Sequence, residues 1–227
     1  MRLLRWCSLA VLSVFFAEQS LAQSPKELDL ASPDALQLHG VKAKPITYLG
    51  HPAMRVEDSG EPDLDDAHRL AVVRGSSFQN GVIEVDLSGD TVPDAPRELR
   101  GFVGIAFRVS PDSSHFECLY LRPKNGRSND QLQRNHSAQY VSMPGFPWEK
   151  LRKESPGQYE SYVDLVPGQW THVKIEVSGT SARLYVNRAE QPTLIVNDLK
   201  QAPAKGSIAL WVGPGTLAHF ASLKVAP

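Results

Sequence analysis

The sequence is poor in cysteine, with two among its 227 residues. Cys7 lies in a hydrophobic N-terminal stretch that we expect to be removed, which leaves Cys118 without a partner in the same chain. A disulfide framework and a zinc site built on cysteines are therefore excluded. We expect Cys118 to be a free thiol and the fold to be stabilised by a hydrophobic core.

Long apolar segments and charge of one sign are also lacking. After the N-terminal stretch, no run of residues is apolar and long enough to predict a membrane-spanning helix. The formal net charge is −1, or about −2 without the N-terminal stretch, which gives no reason to expect nucleic acid or an anionic membrane as a partner. Internal repeats, low-complexity tracts and extended amphipathic helical periodicity are absent too.

The N-terminus has the features of a signal peptide. Arg2 and Arg5 form a short cationic region, an apolar run follows at residues 9–16, and residues 20–22 offer small side chains for cleavage. The apolar run is much shorter than the roughly 20 residues of a spanning helix; an uncleaved anchor and a buried helix are the alternatives. We predict that residues 1–22 are a signal peptide and that the protein is exported, to the periplasm or outside the cell.

Alternating apolar and polar residues predict β-strands in the rest of the chain. In residues 81–87, Ile83, Val85 and Leu87 share one face of a strand. Both faces of residues 116–122 are apolar, so the pattern there does not say which face is buried. The pattern predicts an all-β fold. Further strands are expected at residues 101–109, 171–177, 182–187, 193–196, 207–212 and 220–225.

The second half of the chain resembles the concanavalin A-like lectin/glucanase superfamily, including laminin-G-like modules. Trp170 precedes the strand at 171–177, and the partner strand ends in Tyr185-Val186-Asn187. The last two predicted strands and residues 78–85 are similar to strands of that superfamily. The resemblance implies a two-sheet antiparallel jelly-roll sandwich that binds a carbohydrate.

Within this superfamily, the chain is most similar to exported bacterial domains of the 3-keto-disaccharide hydrolase type. The superfamily includes lectins, glucanases, lyases and adhesion modules, so the fold leaves the activity open. We predict an N-terminal segment with one or more edge strands over residues 23–77 and the jelly-roll core over residues 78–227.

A long connection between the strand ending at Leu121 and the one beginning near Tyr159 has no clear strand pattern. Connections of this length in a compact domain are usually functional or disordered, and its aromatic residues argue against disorder. Rings beside polar groups suit a pyranose; an ordered surface loop with ion-paired arginines is the alternative. We predict that it lines a sugar pocket on the concave sheet, with Arg122, Arg127, Asp130, Arg134, Tyr140 and Trp148 as ligand-binding residues.

Two residues are candidates for catalysis. Glu117, on the strand that leads into the connection, is the preferred acid at the pocket floor, and His136 is a candidate base or hydrogen-bond donor. Glu84 and Asp86 resemble the start of the Glu-x-Asp-x-x-Glu signature of laminarinase-type glucanases. The third acid is replaced by Gly89, which argues against that mechanism.

No spacing of histidines and acids predicts a metal site, and the acidic residues Asp63, Asp65 and Asp66 match no calcium-binding loop. A structural calcium held by scattered backbone carbonyls would leave no sequence signature. We expect no cofactor. The sequence favours an exported carbohydrate-binding module, with a glycan-active hydrolase of the 3-keto-disaccharide hydrolase type or a protein-binding adhesion domain as alternatives.

Overall fold

The computed structural model describes residues 24–61 and 68–227. The predicted signal peptide and the acidic residues at 63–66 therefore lie outside the described residues. The described part of the chain forms two antiparallel β-sheets, A and B, that pack against each other around one main core. The predicted all-β jelly-roll sandwich is confirmed.

Sheet A has eight strands, in the order β13-β12-β11-β6-β15-β4-β3 with β1 paired to β15. Strands are numbered along the chain. Those of sheet A are β1 (Lys26–Glu27), β3 (Val41–Tyr48), β4 (His51–Asp58), β6 (Gly81–Thr91), β11 (Thr171–Ser178), β12 (Ser181–Val186), β13 (Leu194–Val196) and β15 (Thr216–Ala226).

Sheet B has seven strands, in the order β10-β9-β8-β7-β14-β5-β2. They are β2 (Leu36–His39), β5 (Leu70–Val73), β7 (Val103–Val109), β8 (Phe116–Leu121), β9 (Ala138–Met143), β10 (Glu160–Ser161) and β14 (Ser207–Val212). Two short helices follow β8 and β9, α1 (Gln131–Asn135) and α2 (Trp148–Glu154). Within the described ranges, no helix has the length and hydrophobicity needed to cross a membrane.

The main core lies between the sheets and is built by the predicted alternation. Ile105 and Phe107 of β7 and Val173 and Ile175 of β11 are buried in it. Burying each such side chain stabilises the fold by about 1.5–3 kcal/mol. Cys118, also in sheet B, is a free and buried cysteine.

The N-terminal segment contributes to both sheets. Strands β2 and β3 lie at the edges of sheets B and A. Strands β4 and β5, however, lie inside their sheets, because β4 pairs with both β3 and β15 and β5 pairs with both β2 and β14. The segment is therefore an integral part of the sandwich.

The connection after β8 is not the single loop that we predicted. Strand β9 lies in its middle and pairs along its whole length with β8. All six residues of β9 are buried. Because neither face of β9 meets solvent, the polar and apolar residues do not alternate, and the strand signal is lost.

Candidate functional site

Strand β8 carries different chemistry on its two sides. Leu119 and Leu121 belong to the core between the sheets, whereas Cys118 and Tyr120 belong to a second hydrophobic cluster. Since side chains alternate along a strand, Glu117 lies on the same side as the two leucines. The second cluster therefore marks the outer face of sheet B.

The outer face of sheet B is apolar over most of its strands. An outer face of an antiparallel sheet normally carries polar residues, whereas this one carries a contiguous cluster of buried apolar side chains, with two partly exposed rings at its border. The cluster contains Leu70, Val72, Ala106, Val109, Phe116, Cys118, Tyr120, Val141, Met143, Ala209 and Trp211, with Phe102 and Trp148 packed against it.

Four aromatic rings form a continuous band across this face. The ring centroids of Phe102 and Tyr120 are 5.4 Å apart, and those of Tyr120 and Trp211 are 4.7 Å apart. Arg122 joins Trp148 to them, because its guanidinium carbon lies 4.8 Å from the centroid of Phe102, 5.4 Å from that of Tyr120 and 5.2 Å from that of Trp148. We call Phe102, Tyr120, Trp148 and Trp211 the aromatic band.

Gly104 makes the centre of the band possible. It lies between Tyr120 and Trp211 in the sheet, paired with one on each side. A Cβ atom at this position would collide with the Tyr120 side chain and with the carbonyl of Leu119. The missing side chain lets the two rings approach each other across β7.

Fixed polar groups border the band. Arg122 Nη2 donates to Tyr120 Oη at 2.8 Å and to Gln139 Oε1 at 3.3 Å. Gln139 Nε2 in turn donates to the backbone carbonyls of Tyr140 and Tyr159 at 2.9 and 3.1 Å. The orientation of the Gln139 amide and of the guanidinium is thus set by the backbone beneath them.

Helix α2 places Trp148 and Arg152 side by side. They are four residues apart and so share one side of the helix, while the buried Leu151 fixes the helix to the main core. The guanidinium carbon of Arg152 lies 4.5 Å from the centroid of Trp148. Trp148 is therefore in contact with two guanidinium groups, those of Arg122 and Arg152.

An ion pair between Arg152 and Glu160 lies next to Trp148, and His136 contacts its carboxylate. Arg152 Nε donates to Glu160 Oε1 at 2.7 Å, and His136 Nδ1 contacts the other oxygen of the Glu160 carboxylate. Burial lowers the pKa of His136 to about 4, aided by the positive charges of Arg152 and Arg122. His136 is therefore neutral at pH 7, and its imidazole can present an N–H to the carboxylate.

A small cavity opens beside the band, with a volume of about 220 Å³. Its wall combines the rings of Phe102 and Trp148 with one guanidinium group and two carboxylates. This mixture of apolar surface and hydrogen-bonding groups is typical of small-molecule sites. The lining residues are Glu98, Leu99, Arg100, Phe102, Trp148, Glu149 and Pro214.

The structure brings three of the predicted site residues together: Arg122, His136 and Trp148. The positive charge of Arg122 helps to lower the pKa of His136, and the Arg122 guanidinium contacts the ring of Trp148. The prediction of one pocket is wrong for Glu117 and Tyr140, which lie on the inner side of sheet B. The side chains of β8 and β9 alternate, so a residue next to Cys118 or Val141 in sequence faces the opposite sheet.

Glu117 and Tyr140 belong to a buried structural network. Tyr140 Oη donates to Glu117 Oε2 at 2.6 Å, and the backbone N–H of Gln201 donates to Glu117 Oε1 at 2.9 Å. The backbone N–H of Lys200 donates to Tyr140 Oη at 2.8 Å. Burial raises the pKa of Glu117, although these hydrogen bonds oppose the shift. The pair attaches the segment after β13 to sheet B.

The other three predicted residues make contacts away from the band. Arg127 forms a bidentate ion pair with Asp164 at 2.8 and 2.9 Å, and both side chains are exposed. Asp130 caps the N-terminus of α1. Arg134 donates to Tyr162 Oη at 2.7 Å. These contacts fit the surface-loop alternative for this part of the connection.

The acids that resemble a glucanase signature lie on the other sheet. Glu84 and Asp86 are on β6, where they are opposite Lys174 and His172 of β11. Asp86 Oδ1 is 2.8 Å from His172 Nδ1. Both carboxylates are part of the polar outer face of sheet A, and neither belongs to the aromatic band.

Sequence reasoning missed most of the site. Apart from Arg152, which is on α2, the missed residues lie in or beside strands, where a ring usually belongs to the core and a charge usually meets solvent. One signal was available: Tyr120 and Arg122 are two residues apart and so lie on one side of the chain. The missed residues are Phe102, Tyr120, Gln139, Arg152, Glu160 and Trp211.

In the described ranges, no group of three or more histidines, cysteines and acids is arranged to hold a metal ion.

No family model matches the sequence, and no curated protein matches it significantly. Among solved structures, the chain is similar to the carbohydrate binding module CBM66 from Bacillus subtilis, with 13% identity, a TM-score of 0.52 and coverage of 83% of this chain and 97% of that one. It is also similar to a Bacillus subtilis protein of unknown function with a galectin-like fold, with 13% identity, a TM-score of 0.51 and coverage of 90% and 96%. At this identity the likeness shows the fold alone, a jelly-roll sandwich of the galectin-like kind.

Proposed function

We propose that this protein is an exported carbohydrate-binding module whose sugar site is the aromatic band with its polar border. The observation that supports this most is the position of the band on an outer sheet face, beside Arg122, Gln139 and Glu160. A pyranose has apolar faces and a hydroxyl rim, so it can stack on Phe102 and Trp148, the partly exposed rings of the band, while the rim meets the neighbouring polar groups.

Two further observations support sugar binding. A solved structure with the same fold is named as a carbohydrate binding module, and the likeness covers 83% of this chain. The cavity beside Phe102 and Trp148 offers about 220 Å³ bounded by rings and charged groups. The sequence features of a signal peptide at residues 1–22 agree with a ligand met outside the cytoplasm.

The placement of carboxylates favours binding over cleavage. Glycosidases usually need two carboxyl groups, about 5.5 Å apart for retention or further for inversion. Near the band, Glu160 is already engaged by Arg152 and His136, whereas Glu98 and Glu149 at the adjacent cavity are exposed surface residues. Glu117 lies on the other side of sheet B, within a hydrogen-bonded network.

A glycan-active hydrolase of the 3-keto-disaccharide hydrolase type is the second candidate. One contact favours it: the neutral His136 beside the carboxylate of Glu160 resembles an acid–base pair poised next to a ligand surface. Turnover of ordinary and 3-keto disaccharides by the mature protein would support it. A rate lowered about 10²-fold or more by His136→Gln would place the reaction at this contact.

The binding proposal is tested with a ring removed from each sheet. Trp148→Ala should weaken the binding of a glycan found on an array by about tenfold, because stacking adds roughly 0.5–1.5 kcal/mol beyond burial. Tyr185→Ala, which removes a ring from the outer face of sheet A, is the matched control. Calorimetry with both variants gives the comparison. Equal affinities for wild type and Trp148→Ala would exclude this part of sheet B.

A further inference from the structure

The polar border of the band has more positive than negative charge. The guanidinium groups of Arg122 and Arg152 contact the same ring, that of Trp148. The one buried carboxylate near these two guanidinium groups is that of Glu160, which pairs with Arg152. His136 adds no charge, because it is neutral at pH 7. The charge of Arg122, after burial, lowers the pKa of Arg152, which indicates that the two cations repel each other.

Both arginines also keep unused hydrogen-bond donors. Among the described residues, Arg122 Nε and Arg152 Nη2 are buried atoms with no hydrogen-bond partner. Arg122 as a whole is 4% exposed. An unpaired buried donor is costly, and more so on a charged group. A ligand with acceptor atoms would satisfy both donors and offset the excess charge.

Other acids in the neighbourhood do not supply that charge. The negative charge of Glu149 raises the pKa of Arg152, and that of Asp130 raises the pKa of His136. Both carboxylates, however, are exposed. Water and salt screen exposed charges, so they compensate a buried guanidinium weakly. The unmatched charge is therefore at the buried edge of the band.

We infer that the ligand of this site is an acidic sugar, whose carboxylate is bound by Arg122 and Arg152 while its ring stacks on the aromatic band. This rests on the proposed function, because it names the ligand class for the same site. A planar guanidinium matches a carboxylate with two parallel hydrogen bonds. A hexuronate combines that carboxylate with a pyranose ring in one residue, as the neighbouring guanidinium and aromatic groups require.

The test compares hexuronate oligosaccharides with their methyl esters, which keep the ring and remove the charge. Calorimetry on the mature protein should give at least about tenfold tighter binding for the acid, with an affinity that falls as salt rises. Arg152→Gln should abolish most of the preference and leave the binding of the ester nearly unchanged. Arg183→Gln, an exposed residue of β12 on sheet A, makes the same change of charge and should have no effect.

Arg122→Gln is the second variant, and its folding is checked by thermal unfolding because Arg122 is buried. Equal binding of acid and ester, both weakened by Trp148→Ala, would overturn the acidic ligand and keep the sugar site. Binding of acid and ester that is unaffected by Trp148→Ala, or binding of neither, would overturn both. A preference for the acid that survives Arg152→Gln in a folded protein would also contradict the inference.

Discussion

On the outer face of sheet A, Asp86 pairs with His172, and Lys174 pairs with Glu176, both at 2.8 Å. On the outer face of sheet B, rings such as Tyr120 and Trp211 occupy the corresponding positions. One sandwich thus has a face of paired polar and charged side chains, typical of a solvated sheet, and a face of apolar and aromatic residues. The difference supports the proposal that sheet B, rather than sheet A, is the side that meets a ligand.

Sheet A also has aromatic residues at one corner, and the contrast there is informative. The rings of Tyr48 and His219 stack with centroids 3.5 Å apart and planes at 8°, and Trp170 packs edge-on against Tyr48. Tyr48 Oη donates to the carbonyl of Gly168 at 2.6 Å. These rings attach edge strand β3 and the segment before β11 to the sheet, so their role is structural.

The largest expected effect concerns stability. Phe116→Ala removes a fully buried ring from the outer face of sheet B and should lower the free energy of unfolding by about 3–5 kcal/mol. Tyr185→Ala, on the outer face of sheet A, should change it by under about 1 kcal/mol. Urea unfolding of both variants measures the difference. Similar losses in the two variants would mean that the two faces do not differ in packing.

A second prediction concerns acid. Burial lowers the pKa values of His136 and His219 to about 4, with Arg152 and Arg55 respectively as further causes. The unfolded chain takes up these protons near pH 6.5 and the folded chain only near pH 4, so their stability contribution is present above pH 6.5 and is lost as pH falls towards 4.

Each histidine should account for about 2–3 kcal/mol over that window. His136→Gln and His219→Gln should each flatten the decline of the unfolding free energy between pH 6.5 and 4. His136→Gln should also alter ligand affinity, whereas His219→Gln, on sheet A, should not. A decline of unchanged steepness in both variants would contradict the lowered pKa values.

The smallest effect is expected for Glu117→Gln. Because Glu117 lies on the inner side of sheet B, the change should alter sugar affinity by less than about twofold. It should cost roughly 1–3 kcal/mol of stability, since the amide cannot accept from both Tyr140 and the Gln201 N–H as the carboxylate does. Calorimetry and urea unfolding separate the two quantities. A large loss of affinity in a stable variant would return Glu117 to the ligand site.

The sequence predicted β6, β11 and β12, whose outer faces meet solvent. The alternation in β6 and β11 indicated the inward residues correctly, because their outer faces on sheet A are polar. Strands β8 and β9 have apolar residues on both faces, so no pattern could orient Glu117. The face that carries the proposed function is therefore also the face on which periodicity is least informative.

The candidate site was predicted in part for a related reason. Arg122, His136 and Trp148 lie outside strands, where a ring or a charge needs an explanation other than the core. Arg152 and Glu160 are ordinary charged residues in sequence, and only the contact of Arg152 with Trp148 and Glu160 brings them to the site. Such long-range pairing has no local signal.

The most direct test of the sugar site uses the three tryptophans of the described chain, Trp148, Trp170 and Trp211. Trp148 and Trp211 are in the aromatic band of sheet B, and Trp170 is at the structural corner of sheet A. In ¹H–¹⁵N spectra of the mature protein, titration with a bound glycan should shift the indole signals of Trp148 and Trp211 and leave that of Trp170 in place. A glycan that shifts Trp170 and leaves the other two unchanged would contradict binding on sheet B.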